Sequence, residues 1–152
     1  MIAGIGTDLV EIYRIEEMIL RGRHLSRIFT TTELAYAKDN ATTLAGNFAV
    51  KEAVSKVFGT GFFGVEPYEI EVLRNESGAP YVKLYGKAKE IAKDKQVSRI
   101  HVSITNTREF AQAFAIGNAY EICIKESGDA KRSIMRRFMN RNSGTCIDGK
   151  SI

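Results

Sequence analysis

Phe48-Ala49-Val50-Lys51-Glu52-Ala53-Val54-Ser55-Lys56-Val57-Phe58-Gly59-Thr60-Gly61 sets an acid, a hydroxyl and a base inside an otherwise apolar stretch and closes it with two glycines. At about 100° per residue, a helix puts Glu52, Ser55, Lys56 and Gly59 on one side and Val50, Ala53, Val54 and Val57 on the other. Helical phase therefore separates chemistry from core. The polar side still carries Leu44 and Phe48, so the Glu52 carboxylate stands among apolar neighbours, where a charge is tolerated only if paired or metal-bound. Glu52 either pairs with Lys56 at i, i+4, the ordinary arrangement on any helix, or serves as a ligand.

Working outward, the N-terminus Met1-Ile2-Ala3-Gly4-Ile5-Gly6-Thr7-Asp8 reads as a short apolar strand that ends near an acid. Asp8-Leu9-Val10-Glu11 also fits a helix start in which Asp8 is the cap. A helix follows from about Ile12 to Arg21, and a second begins at Thr30, where Thr30 and Glu33 have capping-box spacing. The long helix runs from about Thr42 to Phe58, stopped by Gly59. Alternation over Tyr68–Arg74 and Tyr81–Tyr85, joined through Gly78-Ala79-Pro80, gives an antiparallel pair. A lysine-rich helix extends to about Lys95, and Arg99–Thr105 and Phe110–Ile116 form a second pair. The order gives an α+β domain, mostly antiparallel sheet packed on one long buried helix.

The chain has 152 residues and 44% hydrophobic content, enough for one compact domain and too little for two ordinary ones. We expect a domain over residues 1–120 and a basic C-terminal extension over 121–152, with disorder the leading expectation for the extension. The net charge of +4 is accounted for beyond residue 121, where seven basic residues face three acidic ones. A neutral body argues against nucleic acid as the main partner. No apolar run approaches the roughly 20 residues of a membrane span, and no secretion signal opens the chain, so we expect a cytoplasmic protein without stable membrane insertion. Cys123 and Cys146 lack metal-ligand spacing and are expected to be free thiols.

Taken together, Gly6-Thr7-Asp8, Lys51-Glu52-Ala53-Val54-Ser55-Lys56, Gly59-Thr60-Gly61, Gly78-Ala79-Pro80 and His101-Val102-Ser103-Ile104-Thr105 resemble, in order and spacing, the holo-(acyl carrier protein) synthases. These are the small group of the 4′-phosphopantetheinyl transferase family. The resemblance covers roughly residues 1–120. It implies the phosphopantetheinyl transferase fold, a homotrimer with active sites at subunit interfaces, and a magnesium-dependent reaction in fatty-acid biosynthesis. That reaction moves 4′-phosphopantetheine from coenzyme A to a serine of apo-acyl carrier protein, releasing adenosine 3′,5′-bisphosphate.

The resemblance assigns catalysis to Asp8, Glu52 and Lys56, with Asp8 and Glu52 holding Mg2+. The chemistry is reasonable, because magnesium prefers carboxylate, phosphate and water oxygens and neutralises a leaving phosphate. A metal-bound water and Glu52 both remain open as the base for the serine. Coenzyme contacts fall to Asn47, Ser55, Lys56, Gly59, Gly61, Pro80 and Asn106, and carrier-protein docking to Arg14, Met18 and Arg21. The glycines and Pro80 are first of all turn residues. His101, alone in an alternating strand, is left out of the site as a structural residue.

Two positions depart from the family pattern. Asn47 and Asn106 stand where many members carry an arginine and a histidine toward the coenzyme's 3′-phosphate. Neutral amides lack charge-assisted strength toward phosphate, so weaker 3′-phosphate recognition is expected unless another cation, Arg108 or a neighbouring subunit's lysine, compensates. Asn47 also lies about 140° around the helix from Glu52, which points it toward a site completed by a neighbouring subunit. The reading from another class is a noncatalytic module that binds acidic carriers or anionic surfaces through Arg14, Arg21, Arg23 and the basic tail. The two acids, Asp8 and Glu52, favour the enzyme.

Overall fold

A computed structural model of the chain describes residues 1–22 and 25–120. Arg23, both cysteines and the whole basic extension, with the expectations attached to them, lie outside the described residues. Strand β1 (Ile2–Glu11), helix α1 (Ile12–Leu20), helix α2 (Thr31–Ala37) and the long helix α3 (Ala41–Phe58) come first. Strands β2 (Ile70–Arg74) and β3 (Pro80–Leu84), helix α4 (Gly86–Asp94), and strands β4 (Val97–Asn106) and β5 (Phe110–Ala119) complete the order. One sheet has the order β1-β5-β4 and the other is the β2-β3 hairpin; every pairing is antiparallel. This is the expected α+β class.

The three-stranded sheet receives α3 on one face, and its small residues explain how closely. Ala111, Ala113 and Ala115 on β5 point toward the helix and are buried. On β1, a Cβ at Gly6 would collide with the Ala53 carbonyl oxygen. The two glycines of the opening strand therefore serve backbone-to-backbone approach of β1 onto α3. Leu44, Ala45, Ala49, Val50, Ala53 and Val54 of α3 are fully enclosed, the larger ones contributing about 2 kcal/mol each through apolar burial. Gly59 ends the helix in the left-handed region at φ 74°.

Two local readings resolve differently from expectation or gain a second part. Asp8 does not cap a helix: β1 continues through it to Glu11, with Asp8 opposite Ala113 on β5, and Glu11 precedes α1 without a side-chain cap bond. Sheet pairing along the length of β5 outweighs a single local cap. The capping box of α2 forms as expected, with Glu33 N donating to Thr30 Oγ1 at 3.2 Å and Thr30 N to Glu33 Oε2 at 2.9 Å. Glu33 is nevertheless fully buried, because it also accepts from Lys51 of α3.

Candidate active site

Asp8 lies on the α3-facing side of β1, between Gly6 and Val10, and the close approach permitted by Gly6 brings it to the polar side of the helix. Lys56 Nζ reaches across and donates to Asp8 Oδ1 at 2.8 Å and to the Thr7 carbonyl at 2.8 Å. The i, i+4 pairing of Lys56 with Glu52 is thus not adopted. Among the described residues Glu52 takes part in no ion pair, and it is half-buried. Burial, then the charge of Asp8, raise the Glu52 carboxyl above the usual glutamate range, with Lys56 opposing. Two carboxylates that feel one another, with one lysine between strand and helix, form an oxygen-rich cluster open to solvent on the Lys56 side.

Ser55 is fully buried, its hydroxyl donating to the Glu52 carbonyl at 2.7 Å, so it braces the helix and presents no face to a ligand within this chain. Gly59 and Gly61 occupy positive φ in the loop that follows α3, leaving backbone free of side chains next to the cluster. Arg14 and Arg21 are exposed and Met18 half-buried on or just after α1; Arg21 donates to Glu17 at 3.2 Å.

Asn47 is on the other side of α3 and fully buried. Its Nδ2 stands 3.5 Å from Glu33 Oε1, and its Oδ1 accepts from Arg74 Nη2 at 3.0 Å. The amide is thereby committed to the protein, and it supports the surface where a direct coenzyme contact was expected. Pro80 pairs directly with Arg74 across the hairpin. Asn106, exposed at the end of β4, comes near Gly46, the residue before Asn47. Within one chain the expected site residues thus divide into two groups, Asp8, Glu52 and Lys56 on one side of α3 and Asn47, Pro80 and Asn106 toward the other.

Two charged residues at the centre of this arrangement escaped the sequence reading. Lys51 is fully buried; its Nζ donates to Glu33 Oε2 at 2.8 Å and to the carbonyls of Pro67 and Ile70 at 3.1 and 2.5 Å. Burial pushes its ammonium below the usual lysine range, against the pull of Glu33. Arg74 is the second, held by Asn47. The sequence carried Lys51 only as the first residue of the Lys51-Glu52-Ala53 motif, after the core residues Ala49 and Val50, where a lysine ordinarily reads as a snorkelling side chain.

A carboxylate pair with a lysine beside a bare glycine loop offers oxygen ligands and a cation at one place on the surface. The chain matches the model of the 4′-phosphopantetheinyl transferase superfamily over residues 4–120. It is 52% identical over 117 residues to a holo-[acyl-carrier-protein] synthase of Lachnoclostridium phytofermentans, covering 77% of this chain and 96% of the relative. Among solved structures, the Plasmodium yoelii acyl carrier protein synthase with ADP bound superposes with TM-score 0.73 at 29% identity, covering 80% of this chain and 98% of that one. The Helicobacter pylori holo-[acyl-carrier-protein] synthase in complex with coenzyme A gives 0.69 at 30% identity, covering 75% and 99%. The chain belongs to the 4′-phosphopantetheinyl transferase superfamily and, within it, to the holo-[acyl-carrier-protein] synthases.

Proposed function

We propose that this protein transfers 4′-phosphopantetheine from coenzyme A to a serine of apo-acyl carrier protein, in a magnesium-dependent reaction of fatty-acid biosynthesis in the cytoplasm. The observation that carries the reading is the convergence of Asp8, Glu52 and Lys56 in a chain so similar to synthases along its length. The serine hydroxyl gives its proton to Glu52 or a water beside it, its oxygen bonds to the pantetheine-side phosphorus, the bond to the bridging pyrophosphate oxygen breaks, and adenosine 3′,5′-bisphosphate leaves with that electron pair.

Asp8 and Glu52 fit a hard divalent cation, since both offer oxygen and the proton affinity of Glu52 is raised by the nearness of Asp8. When bound, magnesium would supply positive charge to the pyrophosphate oxygens. Lys56, already at Asp8, is placed to meet a phosphate oxygen as a point charge. The bare glycine loop after α3 lets the substrate approach the backbone. Arg14 and Arg21 form the cationic face for an acidic carrier helix, with Met18 adding apolar contact. Among the described residues no helix is long and apolar enough to cross a membrane.

The homotrimer with shared sites is supported by two features. The face of β1 and β5 turned away from α3 exposes Ile5, Leu9 and Phe114 at 61%, 59% and 45%, an apolar strip suited to a second copy. The division of site residues across α3 is what a site built from two copies requires. The deciding experiment follows coenzyme A-dependent modification of apo-acyl carrier protein by mass, with magnesium and with chelator. Asp8→Ala and Glu52→Ala are each expected to abolish transfer while leaving a folded protein. Near-wild-type turnover in either variant, or full activity in chelator, would sink the reading.

A further inference from the structure

We infer that Arg74, held in place by the buried amide of Asn47, is the specificity-determining cation that binds the 3′-phosphate of coenzyme A in this chain. The inference rests on the transferase reading and adds a residue to it. Arg74 ends β2 opposite Pro80, and its guanidinium is fixed from three sides. Nη2 donates to Asn47 Oδ1 at 3.0 Å, Nη1 donates to the Leu73 carbonyl at 3.2 Å, and the Tyr36 ring lies 5.8 Å from its centre.

No carboxylate comes within 4.0 Å of Arg74 among the described residues. A half-buried, immobilised guanidinium with donors to spare calls for an anion, and phosphate suits its planar fork. Glu33, the buried acid whose charge reaches Arg74, is already engaged by Lys51 and does not pair with it. Arg74 borders an open surface depression at the hairpin turn, lined also by Asn75, Glu76, Ser77 and Tyr81. Ser77 and Asn75 are hydrogen-bonded to each other within the hairpin turn; Tyr81 offers an aromatic wall. Glu76 is the one acid on the lining, exposed at the turn.

The choice among the ligand's phosphates follows from position. The pyrophosphate reacts at Asp8, Glu52 and Lys56, on the other side of α3. The remaining ionised group of coenzyme A is the ribose 3′-phosphate, so a cation placed away from the carboxylates meets that one. In the shared-site trimer it meets the coenzyme held by a neighbouring copy. The amide at 47 and the arginine at 74 together deliver positive charge that the amide alone would lack.

The test uses the full chain with coenzyme A and dephospho-coenzyme A as alternative donors. Arg74→Gln removes the charge and leaves a shorter polar side chain; Arg74→Lys keeps charge without the fork. Arg74→Gln should lower kcat/KM for coenzyme A about tenfold or more and leave that for dephospho-coenzyme A within about twofold, with Arg74→Lys in between. Equal losses for both donors, or no loss, overturn the inference. Calorimetric binding of adenosine 3′,5′-bisphosphate provides the second arm. If the wild type transfers from neither donor, the transferase reading fails; Arg74 is then upheld by weaker bisphosphate binding in Arg74→Gln and overturned by unchanged binding.

Discussion

Replacing Glu52 by glutamine should stabilise the metal-free protein while destroying its activity. In the folded chain Glu52 sits half-buried beside Asp8 without an ion pair of its own among the described residues, and both burial and Asp8 raise its proton affinity. An acid that binds its proton more tightly folded than unfolded lowers stability as pH rises. Below about pH 4, near the ordinary glutamate value, both states are protonated and the penalty vanishes. Above the raised folded value it is fully present. Because the carboxylate is only half-buried, solvent screening limits the effect to about 0.5–1 kcal/mol. That corresponds to roughly 2–4 °C in Tm for a domain of this size.

Thermal unfolding of wild type and Glu52→Gln, in chelator and across pH 4 to 8, reads this directly. The variant should melt higher at pH 7, with the difference closing toward pH 4. Adding magnesium together with coenzyme A should then raise the wild type by several degrees beyond coenzyme A alone, by mass action, and leave the variant behind. Transfer should fall on the order of 10²–10³-fold or more. A variant that melts lower than wild type at pH 7 in chelator would refute the reasoning, since it would mean that Glu52 makes a stabilising contact.

The buried pair gives the opposite sign: Lys51→Met strands the Glu33 carboxylate in the core and should cost about 3 kcal/mol or more in urea unfolding, and a loss under about 1 kcal/mol would contradict it. Gly6→Ala forces β1 away from the Ala53 carbonyl and should cost about 1–3 kcal/mol while lowering kcat at saturating substrates, because Asp8 moves with the strand; unchanged kcat would separate the strand from the site. Arg14→Glu should raise the apparent KM for the carrier protein about fivefold or more and that for coenzyme A by less than twofold, and equal effects on both would argue against α1 as the docking face.

The elements that were legible in the sequence are those specified by local rules. Helix α3 follows from a sustained apolar phase and a terminal glycine, and α2 from Thr30 and Glu33 at capping-box spacing. Asp8 shows the limit of local rules. Its cap reading satisfied every short-range criterion, and only the ladder with β5, more than a hundred residues away, holds it in a strand. Lys51 shows a different limit. Lysine is among the residues least often enclosed, and its burial depends on carbonyls of Pro67 and Ile70 whose direction is set by the chain turn before β2.

Arg74 and Asn47 carry that argument to the site itself. Judged by position alone, an amide in place of an arginine is a lost cation. In the fold, the amide is one link of a buried chain running from Lys51 through Glu33 and Asn47 to Arg74. Each link has a reason: Lys51 neutralises Glu33, Glu33 orients Asn47, and Asn47 turns its oxygen toward the guanidinium. An arginine at 47 would bring a third cation next to Lys51 and Arg74 with Glu33 as the one acid of that hydrogen-bonded chain, and would remove the acceptor that holds Arg74. The amide is therefore the residue type that this network requires once the arginine is supplied from β2, and the charge at that surface is relocated.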